Sequence, residues 1–132
     1  MLVGAGCGGA ASSGPSASAA FTKAGITTFT AKDKTAAAAT LLGADSAKLS
    51  SLTEYKFSDV PNLIVIVGEA KDANDVPRMG DTLGESMKAQ AAAVTYEYSS
   101  LGGMKDAHWF GYVLEKDVSF DAKAKILGAI SQ

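Results

Sequence analysis

The stretch from residue 53 to residue 67, Thr-Glu-Tyr-Lys-Phe-Ser-Asp-Val-Pro-Asn-Leu-Ile-Val-Ile-Val, decides the fold class. Its first part alternates, so that Tyr55 and Phe57 share one face and the charged residues lie on the other, which indicates a strand. Residues 59–62 predict a turn. The unbroken apolar run at residues 63–67 predicts a second strand that is covered on both faces or central in a sheet.

The residues on either side of this stretch predict further strands and helices. We expect strands at residues 26–31, 95–98 and 109–114, where apolar and polar residues alternate or aromatic residues cluster. Asp33 precedes an Ala-rich helix that Gly43 ends, Asp81 starts a second helix after a polar loop, and Ser119 caps a third. The predicted order is β-α-β-β-α-β-β-α.

This order predicts an α+β fold with a mainly antiparallel sheet of four or five strands and helices on one face. The closest arrangement is ferredoxin-like, a split β-α-β with an added hairpin strand and a terminal helix. A cystatin-like or otherwise irregular α+β sheet is the alternative.

The chain has 132 residues, a length that suits one domain with a real core. Residues 10–20 consist of small residues of low complexity. We therefore divide the sequence into residues 1–24, a signal remnant followed by an Ala/Ser/Gly-rich flexible tether, and residues 25–132, a single α+β domain.

The single cysteine, Cys7, lies in Leu2-Val3-Gly4-Ala5-Gly6-Cys7-Gly8-Gly9. This stretch resembles the end of a bacterial lipoprotein signal, in which an apolar segment and small residues precede a cysteine that becomes lipidated. The resemblance implies that Cys7 is the mature N-terminus and that its thiol carries a diacylglycerol. It also implies a lipid-anchored location at the bacterial cell envelope, on its periplasmic or extracellular face. Two or more acyl chains make such an attachment stable.

The same residues also match the GxGxxG turn of dinucleotide-binding proteins, through Gly4, Gly6 and Gly9. Residues 23–30 would then be the second strand of an NAD- or FAD-binding unit, with Asp33 near the ribose. Pro15 counts against this interpretation because it interrupts the expected helix. An N-terminal fragment of an NAD/FAD-dependent oxidoreductase is the alternative function, and apart from it the sequence indicates no cofactor.

Charge and composition exclude several classes of function. The net charge is −2, with 12 basic and 14 acidic residues, and no basic stripe follows the chain, so nucleic-acid binding is not expected. One cysteine excludes an internal disulfide and a Cys-rich zinc site. The single histidine, His108, excludes a multi-histidine metal site, and we expect it to be a structural or surface residue.

Acidic residues gather at positions 69–85 but do not have the spacing of a calcium-binding EF-hand loop. We expect a solvated loop there, with Asp81 capping a helix, and no metal site.

Aromatic residues concentrate in the last two predicted strands. Tyr96, Tyr98, Trp109 and Tyr112 are the candidate binding surface, since exposed aromatic residues dominate many interfaces. Alternation sends Trp109 to one face and Tyr112 to the other, so one set is expected to be core.

Together these observations predict an envelope-anchored lipoprotein domain with a non-enzymatic binding or accessory role. Its expected partners are the membrane, through Cys7, and an envelope protein or small ligand of unidentified type.

Overall fold

The computed structural model describes residues 16–131, except for the side chain of Ser16. The described residues form five strands, four α-helices and two 3₁₀ helices. The elements are, in chain order, α1 (Ser16–Lys23), β1 (Phe29–Asp33), α2 (Thr35–Leu42), a 3₁₀ helix (Gly43–Lys48), β2 (Leu49–Phe57), β3 (Val60–Ala70), a 3₁₀ helix (Ala73–Asp75), α3 (Val76–Ala93), β4 (Glu97–Leu101), β5 (Trp109–Glu115) and α4 (Phe120–Ile130). From β1 onward the predicted order of strands and α-helices is confirmed.

The strands form one five-stranded sheet in the order β1-β2-β3-β5-β4, and every neighbouring pair is antiparallel. The α+β class and the antiparallel sheet are therefore confirmed. The segment β3-α3-β4 is a split β-α-β unit, because β5 lies between two strands of the same direction. The ferredoxin-like arrangement is wrong in detail, because β1 and β2 are direct neighbours. An irregular α+β sheet describes the topology better.

Helices cover both faces of the sheet, which corrects the prediction of helices on one face. The central strand β3 explains this: Val65 and Val67 are buried beneath α1 and α4, whereas Ile66 is buried beneath α2 and α3. An unbroken apolar strand needs cover on both sides. We call the two sides the α1/α4 face, with Phe21, Tyr55, Val65, Val113 and Ile126 in its core, and the α2/α3 face, with Leu52, Ile66, Leu83, Met87 and Tyr112.

Helix α1 corrects the predicted boundary at residue 24, because its residues belong to the folded domain. Ala17 and Phe21 are fully buried. The Phe21 ring meets Tyr55 and Phe57 edge to face, with ring centroids 5.0 and 5.2 Å apart. Small residues let α1 pack closely, and one aromatic side chain holds it in the core. The predicted signal remnant and the first part of the tether, residues 1–15, lie outside the described residues.

Nearby side chains favour the start of two helices, α2 and α4. The Asp33 carboxylate accepts hydrogen bonds from the Thr35 hydroxyl (2.5 Å) and backbone N–H (2.8 Å), and these bonds lower the pKa of Asp33. Helix α2 then runs from Thr35 to Leu42 and ends at Gly43, which has φ +59°. Ser119 caps α4, as predicted, by accepting from the Ala122 N–H at 3.3 Å.

Helix α3 begins at Val76, five residues before the predicted start at Asp81. Pro77 lies in its first turn, where a fixed φ favours the helix and the missing N–H has no cost. The sequence pattern predicts a loop at Pro77, although the first turn of a helix tolerates proline. No helix within residues 16–131 combines the length and apolar character needed to cross a bilayer.

Candidate functional site

A groove of about 470 Å³ lies on the α2/α3 face, at the edge of the sheet. Helix α3 forms one wall, β4 the other, and β5 the floor. We call it the α3–β4 groove. Its principal side chains are Asp81, Glu85, Lys88, Tyr98, Phe110 and Tyr112.

Two glycines on α3 bring the helix close to the tyrosines of the sheet. Gly80 and Gly84 are four residues apart and therefore share one face of the helix. The Tyr112 hydroxyl donates a hydrogen bond to the Gly80 carbonyl at 2.6 Å. A Cβ atom on Gly84 would lie 3.0 Å from the Tyr98 hydroxyl oxygen. The glycines thus set the height of the wall above the aromatic floor.

The aromatic rings of the β5 floor and of Tyr98 in the β4 wall contact one another. Tyr98 and Tyr112 are stacked, with centroids 6.1 Å apart and an interplanar angle of 26°. Phe110 meets Tyr112 edge to face at a centroid distance of 6.1 Å. Tyr112 is 2% exposed, whereas Tyr98 is half-buried and presents part of its ring to the groove.

Negatively charged side chains lie on the α3 wall of the groove, at its rim. Asp81 and Glu85, one helical turn apart, are both exposed. Burial, followed by the charges of Glu85 and Asp81, raises the pKa of Tyr98. Burial is also the main cause that raises the pKa of Tyr112 well above its usual value. Both hydroxyls therefore stay protonated at neutral pH and remain hydrogen-bond donors.

The four predicted aromatic residues do not form a single exposed surface. Tyr98 and Tyr112 lie in the groove, although Tyr112 is buried. Tyr96 is half-buried and donates a hydrogen bond to Asn62 Oδ1 at 3.1 Å, beside a different hollow. Trp109 is 8% exposed and packs on the α1/α4 face. The alternation in β5 was predicted correctly, but β5 is an inner strand, so helices cover both of its faces.

The glycines and carboxylates of α3 were missed as site residues. The sequence pattern predicts a loop at Gly80 and a cap at Asp81, because it places the start of the helix at Asp81 and not at Val76. The signal that was available is the spacing of Gly80 and Gly84 by four residues. A pair of glycines at that spacing in a helix, where glycine costs about 1 kcal/mol each, marks a close approach.

A second hollow, of about 220 Å³, lies on the α1/α4 face between residues 25–28 and the start of α4. Thr28 donates a hydrogen bond to Asp59 Oδ2 at 3.0 Å there, and Asp121 and Lys125 line the opposite side. Its carboxylates thus lie beside a lysine and a bonded threonine. It is smaller than the α3–β4 groove and less aromatic.

Other acidic residues near α3 are engaged in ion pairs. Arg78 contacts Asp45 at 3.3 Å and Asp75 at 3.4 Å, and Lys48 contacts the same two carboxylates at 3.6 and 4.0 Å. Within residues 16–131, no three His, Cys, Asp or Glu side chains are grouped to hold a metal ion. The ion pairs of Arg78 and Lys48 link the 3₁₀ helix after α2 to the start of α3.

His108 lies on the surface, where its Nδ1 is 2.9 Å from Asp106 Oδ1. It does not line the groove. Because Asp106 also accepts from the His108 backbone N–H at 2.8 Å, this pair shapes the turn that leads into β5.

The N-terminal candidate residues Cys7, Gly4, Gly6 and Gly9 lie outside the described residues. Of residues 23–30, the strand of the dinucleotide-binding alternative, Lys23 ends α1 and only residues 29–30 belong to a strand, β1. It pairs antiparallel with β2, and α2 connects these same two neighbours. A dinucleotide-binding unit connects parallel strands through its helix, so β1 gives that alternative no support.

No protein-family model, curated protein or solved structure matches this chain. The groove and its chemistry are therefore the basis for assigning a function.

Proposed function

We propose that this chain is a lipid-anchored binding domain of the bacterial cell envelope, attached through Cys7. Its role is non-enzymatic, and the α3–β4 groove is its binding site. The observation that carries the proposal is the groove itself, an open space of about 470 Å³ with a tyrosine floor and two exposed carboxylates on its rim.

The position of α1 supports an anchor that leaves the groove accessible. Helix α1 packs on the α1/α4 face, where Ala17 and Phe21 are fully buried. The segment that contains Cys7 therefore joins the domain on that face, while the groove belongs to the other face. An acylated Cys7 would hold the domain by its α1/α4 side.

The chemistry of the groove favours binding. The Tyr112 hydroxyl already donates its hydrogen to the Gly80 carbonyl, whereas the Tyr98 hydroxyl remains protonated, so the rings supply packing surface and Tyr98 a neutral donor. Asp81 and Glu85 supply charge at the rim. Aromatic area combined with a few charges is typical of a recognition site.

The anchor is tested by expressing the whole natural gene in a bacterial host and measuring the intact mass of the membrane-fraction protein. We expect a chain that begins at Cys7 and carries acyl groups. The control is Cys7→Ser, which should appear unacylated in the soluble fraction. An unmodified wild-type protein in the soluble fraction would refute the anchor.

A further inference from the structure

The outer edge of β4 carries backbone groups that no described residue pairs with. β4 is the last strand of the sheet and contacts β5 through its inner edge. In an antiparallel strand, every second residue directs its N–H and C=O away from the neighbour. Glu97, Ser99 and Ser100 are exposed. This edge is therefore a template for one more strand.

The opposite edge of the sheet, β1, is less suited to pairing. Its last two residues, Lys32 and Asp33, are charged and exposed, and Asp33 is bonded to Thr35 at the start of α2. Charged side chains on an edge strand oppose the addition of another strand. In β4 the only charged residue is Glu97, at the first position.

The open edge lies beside the α3–β4 groove. Tyr98 and Ser100 are opposite Leu114 and Tyr112 in β5, so both side chains lie on the α2/α3 face, and both line the groove. A strand added beyond β4 would place every second side chain on this same face. Those side chains would enter the groove.

The charge of the groove determines which side chain is complementary. Asp81 and Glu85 form no ion pair within residues 16–131, in contrast to Asp75, which contacts Arg78 and Lys48. Lys88 is the single cation among the described lining residues, so the groove has an excess of negative charge. A cationic side chain can pack its stem or charge on the Tyr98 ring and reach the carboxylates.

We infer that β4 and the α3–β4 groove together bind an extended segment of a partner protein. The segment adds to β4 as a sixth strand and places a lysine or arginine side chain in the groove, between Tyr98 and the carboxylates of Asp81 and Glu85. This inference rests on the proposed function, in which the groove is the binding site. Main-chain bonds to β4 provide affinity, and the basic side chain provides specificity.

The test uses the isotope-labelled full chain and a short blocked peptide of alternating threonine and valine with one central lysine. We expect the peptide to shift the NMR signals of β4 and α3 and to slow amide exchange on the outer edge of β4. The matched peptide with a central glutamate should bind at least about tenfold more weakly, because it places like charges together.

Two variants of neighbouring exposed residues separate the groove from the strand. Ser100→Lys places a cation in the groove and should weaken binding of the lysine peptide at least about tenfold. Ser99→Lys is the control, because Ser99 is opposite Val113 and faces the α1/α4 side. Both variants add a charge to the edge strand and so weaken strand addition, but Ser99→Lys should weaken binding at least about fivefold less than Ser100→Lys, because its cation does not enter the groove. The double variant Asp81→Asn, Glu85→Gln should weaken binding about tenfold.

Three outcomes would overturn the inference. The first is that neither peptide binds. The second is that butylamine alone binds as tightly as the lysine peptide without protecting β4, which would keep the groove as a binding site but remove the added strand. The third is that the free chain already protects its β4 edge by dimerising in sedimentation experiments. None of these outcomes affects the mass of acylated Cys7, so the anchor is tested separately.

Discussion

The two faces of the sheet are packed in opposite ways. On the α1/α4 face, large rings from both layers interlock, and Phe21 of α1 contacts Phe29, Tyr55 and Phe57 edge to face. On the α2/α3 face, rings lie over glycines. Phe110 covers Gly68, where a Cβ atom would come within 2.2 Å of the ring. The described hollow on the α1/α4 face measures about 220 Å³, whereas the α2/α3 face holds the groove of about 470 Å³ where α3 approaches the edge of the sheet.

The largest effect is expected for Phe21→Ala, which removes the ring that holds α1 on the α1/α4 face. Deleting a buried phenylalanine side chain lowers the free energy of unfolding by about 3–5 kcal/mol. Urea denaturation followed by circular dichroism measures it. Phe120→Ala is the control, since Phe120 is 76% exposed and its loss should change stability by less than about 0.5 kcal/mol. Equal effects of the two substitutions would show that α1 lies outside the core.

The next largest loss of stability is expected for Gly68→Ala on the α2/α3 face. The added methyl group must displace the Phe110 ring, and such overpacking costs about 1–3 kcal/mol in the free energy of unfolding. Combining it with Phe110→Leu should recover part of this loss. Gly128→Ala is the control: Gly128 lies in α4 with no atom near its Cβ position, so alanine should stabilise by up to about 1 kcal/mol. A Gly68→Ala protein as stable as wild type would contradict the packing of ring on glycine.

The tyrosines predict a loss of stability at alkaline pH. Burial raises the pKa values of Tyr98 and Tyr112 in the folded protein above the value of about 10 for unfolded tyrosine. The stability that these groups contribute is therefore complete below about pH 10 and is lost as the pH rises from there toward the folded pKa values. Denaturation at a series of pH values measures this decline.

Tyr112→Phe should make that decline shallower, because it removes one raised pKa. At neutral pH it should cost about 1 kcal/mol, through the lost hydrogen bond to the Gly80 carbonyl. Phenolate absorbance of the folded and urea-unfolded protein supplies the reference. If both forms titrate together near pH 10, the burial of these hydroxyls is refuted.

The smallest expected change in stability concerns the C-terminal ends of α1 and α3, which have the same pattern of backbone hydrogen bonds. The N–H groups of Gly25 and Ile26 bond Thr22 and Phe21, and those of Thr95 and Tyr96 bond Ala92 and Ala91. One residue after each helix has a left-handed backbone conformation: Gly25 (φ +85°) after α1 and Thr95 (φ +59°) after α3. This pattern is the Schellman motif, in which glycine is favoured.

Thr95→Gly should therefore stabilise the protein by up to about 1 kcal/mol, since a β-branched residue is strained at this φ. Gly25→Ala should destabilise it by about 1 kcal/mol, with no steric contact to confuse the result. Thermal unfolding of both variants measures these effects. The same sign for both substitutions would contradict the shared motif.

Most of the strands could be predicted from the sequence, because their signals are local. The alternation around Tyr55 and the apolar run at residues 63–67 each specify a strand without reference to distant residues. The apolar run at residues 63–67 also indicates that β3 needs to be covered on both faces. Helix α1 gave a weaker signal, because its alanines and serines resemble a flexible segment and only Phe21 reveals a buried face.

The groove could not be predicted in the same way, because its walls come together through distant pairing. Tyr98 faces α3 because β5 inserts between β3 and β4, so that β4 becomes the edge. The aromatic residues of the last two strands were identified correctly as a group. Their division between groove, core and opposite face depends on which strand is at the edge, and no local pattern specifies this.

The late position of β5 in the chain has a consequence for the order of folding. β2 and β3 can pair early, since only Ser58 and Asp59 separate them. The other side of β3 stays unpaired until residues 109–115 have been synthesised. Until then residues 63–67 form an exposed apolar strand edge, the type of template that recruits other chains. A chain that ends before Trp109 would therefore turn the central strand of the sheet into its principal site of aggregation.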